Sequence, residues 1–285
     1  MFISEPSFQL RNPIMIAAFE GWNDAGESAS GALSHLLTTW SHQKLAQLDP
    51  EDYYDFQVNR PTIKVDEKVV REIIWPNTVV FAVSTPHLEN DFLIVKGIEP
   101  SMRWQRFVDE ILDLADDYET SLLVTMGALL ADTPHSRPIS VTGSGSHPDV
   151  AERLGVEISR YEGPTGILGV LQDGANRRGL DAVSLWAAVP HYVSTPPSPK
   201  ASLALVNALE DFLDISISQG DLPKRALDWE KSVDQMAAED AEVGDYVRQL
   251  EKSKDASDLP EISGELLSRE VERFLRRNPK SYSES

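Results

Sequence analysis

The chain has no cysteine among its 285 residues. Disulfides, thiolate catalysis and cysteine-ligated zinc are therefore excluded. Basic residues are scarce: 26 Lys and Arg stand against 46 Asp and Glu, a formal net charge of −20. Nucleic-acid binders need a basic face to displace counterions from phosphate, and anionic lipid surfaces repel an acidic chain. Neither nucleic acid nor membrane is expected as a partner. Long hydrophobic runs are also missing. The longest, residues 121–131, falls far short of the roughly 20 residues of a membrane-spanning helix. The opening MFISEPSFQL has no cationic segment followed by an apolar run, so no signal peptide and a cytoplasmic location are expected. What is present is an ordinary globular share of hydrophobic residues, 41%, enough for a sizeable core.

Strand-length apolar runs alternate with helical periodicity. PIMIAAFE at 13–20 reads as a central strand covered on both faces. A helix is expected over 25–40, with Asp24 and Glu27 at capping-box spacing. Short strands follow at 44–48, 55–59, 62–65, 69–74, 78–84 and 92–96, the 62–74 pair as a hairpin. Trp104, Phe107, Val108, Ile111, Leu112 and Ala115 mark one face of a helix over 102–118. Further strands are expected at 121–126, 139–142 and 182–189, a short helix from Pro148, and helices at 167–178 and 200–213. Such alternation implies a largely parallel sheet with helices on both faces, made mixed by the early meander. From Gly220 onward charge density rises and strand-length apolar runs stop. Trp229, Val233, Met236, Val243, Val247 and Leu250 form a heptad-like stripe broken at Asp240. The polar link KSKDASDLP leads to a last expected helix at 261–278. The two pieces read as a helical hairpin that must cover its stripe on the parent domain or on a partner.

Ligands of open α/β sheets sit beyond the carboxyl ends of the strands. Four loops qualify: 21–26 (GWNDAG), 127–132 (GALLAD), 143–147 (GSGSH) and 190–199. The first couples a strand to a helix start, where amides favour an anion, and it offers Gly21, Asn23 and Asp24. It is neither a Walker loop nor G-x-G-x-x-G. The third, with Ser144, Gly145 and His147, resembles a backbone nest for an oxyanion. Four of the six histidines (His87, His135, His147 and His191) adjoin a proline that stiffens their loops. Converging with Asp24 or Asp132 they would make a general-base or metal site; otherwise they hold the rim rigid. No H-x-H or H-x-x-x-H spacing occurs, so no metal is expected. No G-x-S-x-G elbow is present, and no catalytic residue is assigned. Arg60 and Arg137 either clamp an anion or tether loops. Tyr53, Tyr54, Trp75 and Tyr192 either anchor an interface or belong to the core.

At these residues the chain resembles the bacterial branch of the proteasome assembly chaperone 2 family. The matching blocks are FEGWNDAG at 19–26, DPEDYYDFQVNRPTI at 49–63, GIEPSMRW at 97–104, MGALLADTPHSRPI at 126–139, YEGPTGILGVLQD at 161–173 and SLWAAVPHYVSTPPSPKA at 184–201. They cover roughly residues 10–215, and the WEKSVDQMAAED segment is similar to the longer bacterial members. The resemblance implies a three-layer α/β/α fold, similar in architecture to nucleoside phosphorylases, and self-association. It also implies engagement of the proteasome, in some archaeal relatives through a C-terminal hydrophobic-Tyr-X tail. Residues 280–285 (KSYSES) place Tyr282 behind Ser281, unlike that tail, so docking through it is not expected.

The expectation is an α/β domain over 1–219 and a helical extension over 220–285. The function read from it is a non-enzymatic, homo-oligomeric, assembly-chaperone-like protein without cofactor, guessed as a trimer, whose partners are itself and the proteasome or another multi-subunit assembly. Tyr53, Tyr54 and the stripe are its candidate interface. The alternative is a small-molecule binder or a hydrolase- or phosphorylase-like enzyme using Gly21, Asn23, Asp24, Ser144, Gly145, His147 and His191.

Overall fold

A computed structural model describes residues 2–3, 9–65, 69–145, 147–193, 195–258, 272–273 and 276–277. The chain runs β1 (Phe2–Ile3), β2 (Ile14–Glu20), a 3-10 turn (Ala25–Glu27), α1 (Ser28–Thr39), β3 (His42–Gln47), α2 (Pro50–Tyr53), β4 (Thr62–Val65), β5 (Arg71–Ile74), β6 (Thr78–Val83), β7 (Phe92–Ile98) and α3 (Trp104–Asp117). It continues through β8 (Leu122–Ala131), β9 (Val141–Gly145), α4 (Pro148–Leu154), β10 (Glu157–Ile158), α5 (Ile167–Arg177), β11 (Ala182–Pro190), α6 (Pro199–Leu213), α7 (Leu222–Glu239) and α8 (Ala241–Asp258).

Among the described residues, nine strands form one sheet in the order β1-β3-β6-β7-β2-β8-β11-β9-β10. β2 lies parallel to both β7 and β8, and β9 is parallel to β10. The meander β3–β6–β7 is antiparallel. The sheet is thus mixed and mostly parallel, and the fold is the three-layer α/β class. The apolar run of β2 is buried from Ile14 to Phe19, as a strand covered on both faces must be. Among the described residues, β4 and β5 pair only with each other, Ile63 opposite Ile73 and Lys64 opposite Glu72.

The chain divides into two compact units. The first comprises Met1–Asp24, Trp40–Gly127 and Gly143–Ser184. Its core holds Met15, Ile16, Phe19, Leu93, Ile94 and the buried stripe of α3. Phe107 meets Phe19 edge-on at 5.6 Å and Tyr53 at 5.2 Å between ring centroids, and Trp40 stacks on Phe92. The second comprises Ala25–Thr39, Ala128–Thr142 and Leu185–Ser285. In it α1 packs on α6, α6 on α7, and α7 meets α8, burying Leu33, Leu36, Leu205, Leu209, Ala226 and Val233. Gly220, where the sequence changes character, lies between α6 and α7 inside this unit.

Two local expectations are corrected. Residues 55–59 form turns, with the amides of Val58 and Asn59 both donating to the Asp55 carbonyl, and the short helix α2 precedes them, started by the Asp49 side chain. The helical hairpin turns at Asp240, not in the polar link. The Asp240 carboxylate accepts from the amides of Glu242 and Val243, an N-cap that stops α7 and starts α8, and α8 then runs through KSKDAS to Asp258. The helix expected over 261–278 lies outside the described residues except for helical 272–273 and 276–277.

Candidate functional site

The loop after β2 is built around a carboxylate supplied by the chain. The turn closes with the Asp24 amide donating to the Gly21 carbonyl. It exposes Trp22 and buries Asn23 and Asp24. The Asn23 side-chain amide donates to Glu99 Oε1 at 2.9 Å. The same oxygen accepts the backbone amide of Ile167, at the first turn of α5, at 2.9 Å. Helix N-termini leave amides unpaired and carry partial positive charge, so Glu99 occupies the place an anionic ligand would take. Gly166 completes the arrangement: a Cβ there would lie 2.2 Å from Asn23 Nδ2, so only glycine lets the α5 turn approach. This constellation holds a helix end and a loop together and leaves the Asn23 amide spoken for.

The GSGSH segment is largely strand. Val141–Gly145 is β9, with Ser144 opposite Glu157 and Gly145 opposite Ile158. The Gly145 carbonyl accepts from the Ser159 amide. The backbone is thereby engaged in a ladder. His147 starts α4, exposed, with Nδ1 3.7 Å from Asp149 Oδ2. His87 is exposed in the loop between β6 and β7.

In the second unit, His135 and His191 meet around Tyr192. Their ring centroids stand 5.8 and 5.9 Å from it, and Tyr246 lies 6.0 Å from the same ring. His135 is buried. Its backbone amide donates to the Tyr192 hydroxyl oxygen, Nδ1 is 2.7 Å from that oxygen, and Nε2 is 3.0 Å from Asp234 Oδ1. A carboxylate only accepts, so in the neutral ring Nε2–H donates to Asp234 while Nδ1 receives the Tyr192 proton. Burial pushes the Tyr192 phenol up to about 12, against the His135 amide, which lowers it. His191 Nδ1 lies 3.2 Å from Asp132, which also accepts from the Tyr246 hydroxyl at 3.1 Å.

These contacts belong to a polar seam between residues 132–140 and the helical hairpin. Arg137 forks onto Asp255, with Nε to Oδ1 at 2.7 Å and Nη2 to Oδ2 at 2.8 Å. That bond holds the Asp255 carboxyl below its ordinary value. Ser136 donates to Glu251, and Lys200 reaches Glu230 and the His135 carbonyl. Arg137 is thus a loop tether. On the hairpin stripe Val233 and Val247 are buried, Trp229, Val243 and Leu250 half-buried, and Met236 exposed.

Tyr53 and Tyr54 are both buried. The Tyr53 hydroxyl donates to Glu110 at 2.7 Å, and burial followed by that carboxylate raises its pKa well above the ordinary phenol value. The Tyr54 hydroxyl bonds Thr78 Oγ1 and donates to the Ile98 carbonyl; burial pushes it up to about 12. Among the described residues no group of three or more His, Asp or Glu is placed to hold a metal ion, and no helix is long and apolar enough to cross a membrane. Glu99, Asp234 and Tyr246 are partners that sequence reasoning missed. Each is an ordinary polar residue whose role depends on a neighbour distant in the chain.

The fold is that of a PAC2-type α/β protein. The family model of that name matches residues 18–237, and the chain belongs to the PAC2 family. A PAC2 family protein from Streptomyces avermitilis is 53% identical, with a TM-score of 0.77 over 82% of this chain and 99% of that one. A proteasome-assembly chaperone homologue of Mycobacterium tuberculosis is 45% identical, with a TM-score of 0.75 over 82% and 99%. PbaB of Pyrococcus furiosus, an archaeal proteasome activator, shares the fold at 20% identity and a TM-score of 0.65 over 83% and 97%. No protein with a curated description matches the chain.

Proposed function

We propose that this protein is a non-enzymatic, homo-oligomeric assembly factor of the proteasome-related kind. The observation that carries the reading is the 45% identity with a mycobacterial proteasome-assembly chaperone homologue, over 82% of this chain and 99% of that one. The strand-end loop supports it, because the anion position at α5 is taken by Glu99. The surface we assign to protein contact is the β4–β5 ribbon. Ile63, Val65, Val69, Val70 and Ile73 are each more than half exposed, with Trp75 beside them. A lone two-stranded ribbon is marginal in water, and clustered exposed apolar residues mark interaction sites. Met236 on α7 adds a second exposed position.

The test is affinity capture of the tagged full chain from gently lysed native cells, with mass spectrometry against an untagged control, repeated for Ile63→Ser/Ile73→Ser. Recovery of proteasome subunits or of another multi-subunit assembly, lost in the double variant, supports the reading. Recovery of the bait alone from both, with a monomeric mass, overturns it.

A further inference from the structure

The β4–β5 ribbon has two unlike faces. Residues directly opposite each other in an antiparallel pair share a face, so the register sorts the side chains. Ile63 opposite Ile73 and Val65 opposite Arg71 lie on one face; Thr62 opposite Ile74 and Lys64 opposite Glu72 lie on the other. The first face is apolar except for Arg71, and the second carries two opposite charges side by side. An antiparallel pair patterned in this way turns its polar face to water and its apolar face to a core. Here the apolar face is in water: Ile63 and Val65 are each 56% exposed and Ile73 54%. The foot of the ribbon is fixed, because Trp75 meets Phe56 at 4.8 Å between ring centroids.

Charge narrows what can cover that face. The chain has a net charge of −20, and a large net charge of one sign holds copies of a protein apart. Residues 60–75 depart from this excess. In sequence they carry Arg60, Lys64, Lys68 and Arg71 against Asp66, Glu67 and Glu72. A strongly basic strip would select an acidic client, but one cation in excess gives little steering. A strip of both signs instead relieves the like-charge repulsion between two acidic copies. Either the same strip or the acidic remainder of a second copy can approach it.

We infer that the apolar face of the β4–β5 ribbon is covered by a second copy of this chain. The inference rests on the homo-oligomeric reading above and names the partner of the ribbon. The contact has an apolar centre, where Ile63, Val65 and Ile73 lose water, and a charged rim, where Lys64 and Glu72 keep it, the arrangement of a protein interface.

The experiment measures the mass of the purified full chain, 31.7 kDa for one copy, by sedimentation across a dilution series at low and high salt. The wild type is expected at a whole multiple of that mass. Its associated fraction should rise with salt, as screening removes the repulsion between copies. Ile63→Thr/Ile73→Thr keeps strand-forming residues and is expected to associate about tenfold more weakly or worse, the loss of two buried anchors. Lys64→Gln/Glu72→Gln, on the other face, should keep the wild-type mass. A wild type that stays a single copy, a threonine variant as associated as the wild type, or association that falls as salt rises overturns the inference. Should the threonine variant not fold by circular dichroism, hydrogen exchange on the wild type decides. Amides of β4 and β5 should exchange more slowly in concentrated than in dilute protein, and equal exchange overturns it. Capture of a multi-subunit assembly by a chain that is a single copy sinks this inference and leaves the assembly role standing. Self-association through the ribbon with no other protein captured does the reverse.

Discussion

Glu99 and Asn23, 76 residues apart, share a 2.9 Å hydrogen bond that joins the turn after β2 to the first turn of α5. Replacing Glu99 by Ala orphans the Asn23 amide and the Ile167 amide together. A loss of about 1–3 kcal/mol is expected, the cost of leaving a buried donor unpaired. Chemical denaturation of Glu99→Ala checks it. Gly166→Ala should be at least as damaging, since the new methyl meets the Asn23 side chain at 2.2 Å.

Gly97 stands opposite Thr78 in the β6–β7 ladder. A Cβ at Gly97 would lie 2.7 Å from the Thr78 Cα, a backbone atom that cannot rotate away. Gly97→Ala is therefore expected to cost about 1–3 kcal/mol by overpacking, measured as a lower thermal midpoint. A midpoint equal to that of the wild type would refute the close approach.

Asp91 is buried and accepts from Thr85 N at 2.8 Å, from Arg11 N and Nη2 at 2.9 Å each, and from Arg11 Nε at 3.1 Å. Burial alone would raise its pKa, but the Arg11 and Thr85 bonds prevail and bring it from 3.8 to about 2. A folded-state pKa below the unfolded one contributes stability that is complete above the unfolded value and is lost as pH falls through the folded one. The wild type should therefore lose its advantage over Asp91→Asn as pH drops from 3.8 towards about 2. Parallel urea titrations across that window measure the difference, and a constant difference would count against the assignment.

His135→Phe keeps the ring but removes both bonds that tie Asp234 and Tyr192 to it. An expected loss of about 1–2 kcal/mol should come with faster hydrogen exchange over 222–258 and unchanged exchange in α3. Asp234→Asn should cost less, because the Asp234 side chain is 59% exposed.

Much of the fold was legible because burial writes a period into the sequence. The uninterrupted IMIAAF run of β2 and the Phe107–Ala115 stripe of α3 could hardly have been anything else. The strand expected over 55–59 did not form, because the Asp55 carboxylate and carbonyl accept the amides of Gln57, Val58 and Asn59 and turn the chain. The sequence marks Asp240 as a polar break in the stripe, but the apolar spacing resumes at Val243 and drew the turn to the later polar link; the side-chain bonds to Glu242 and Val243 place it at Asp240. Asn23 stood out as a loop residue, but Glu99 did not. A carboxylate's role is set by which amides face it, and those come from Asn23 and Ile167, far along the chain. The proline-flanked histidines were noticed as a set, yet only His135 and His191 share a neighbour in Tyr192.

The break at Asp240 carries one more consequence. An unbroken helix from Leu222 to Asp258 would be a rod of about 55 Å at 1.5 Å per residue, standing off its own unit as a lever arm. The single cap at Asp240 halves that reach, and Asp234 and Asp255, on opposite sides of it, both return to residues 135–137. One side chain thus decides whether the helices of this tail serve as reach or as a clasp.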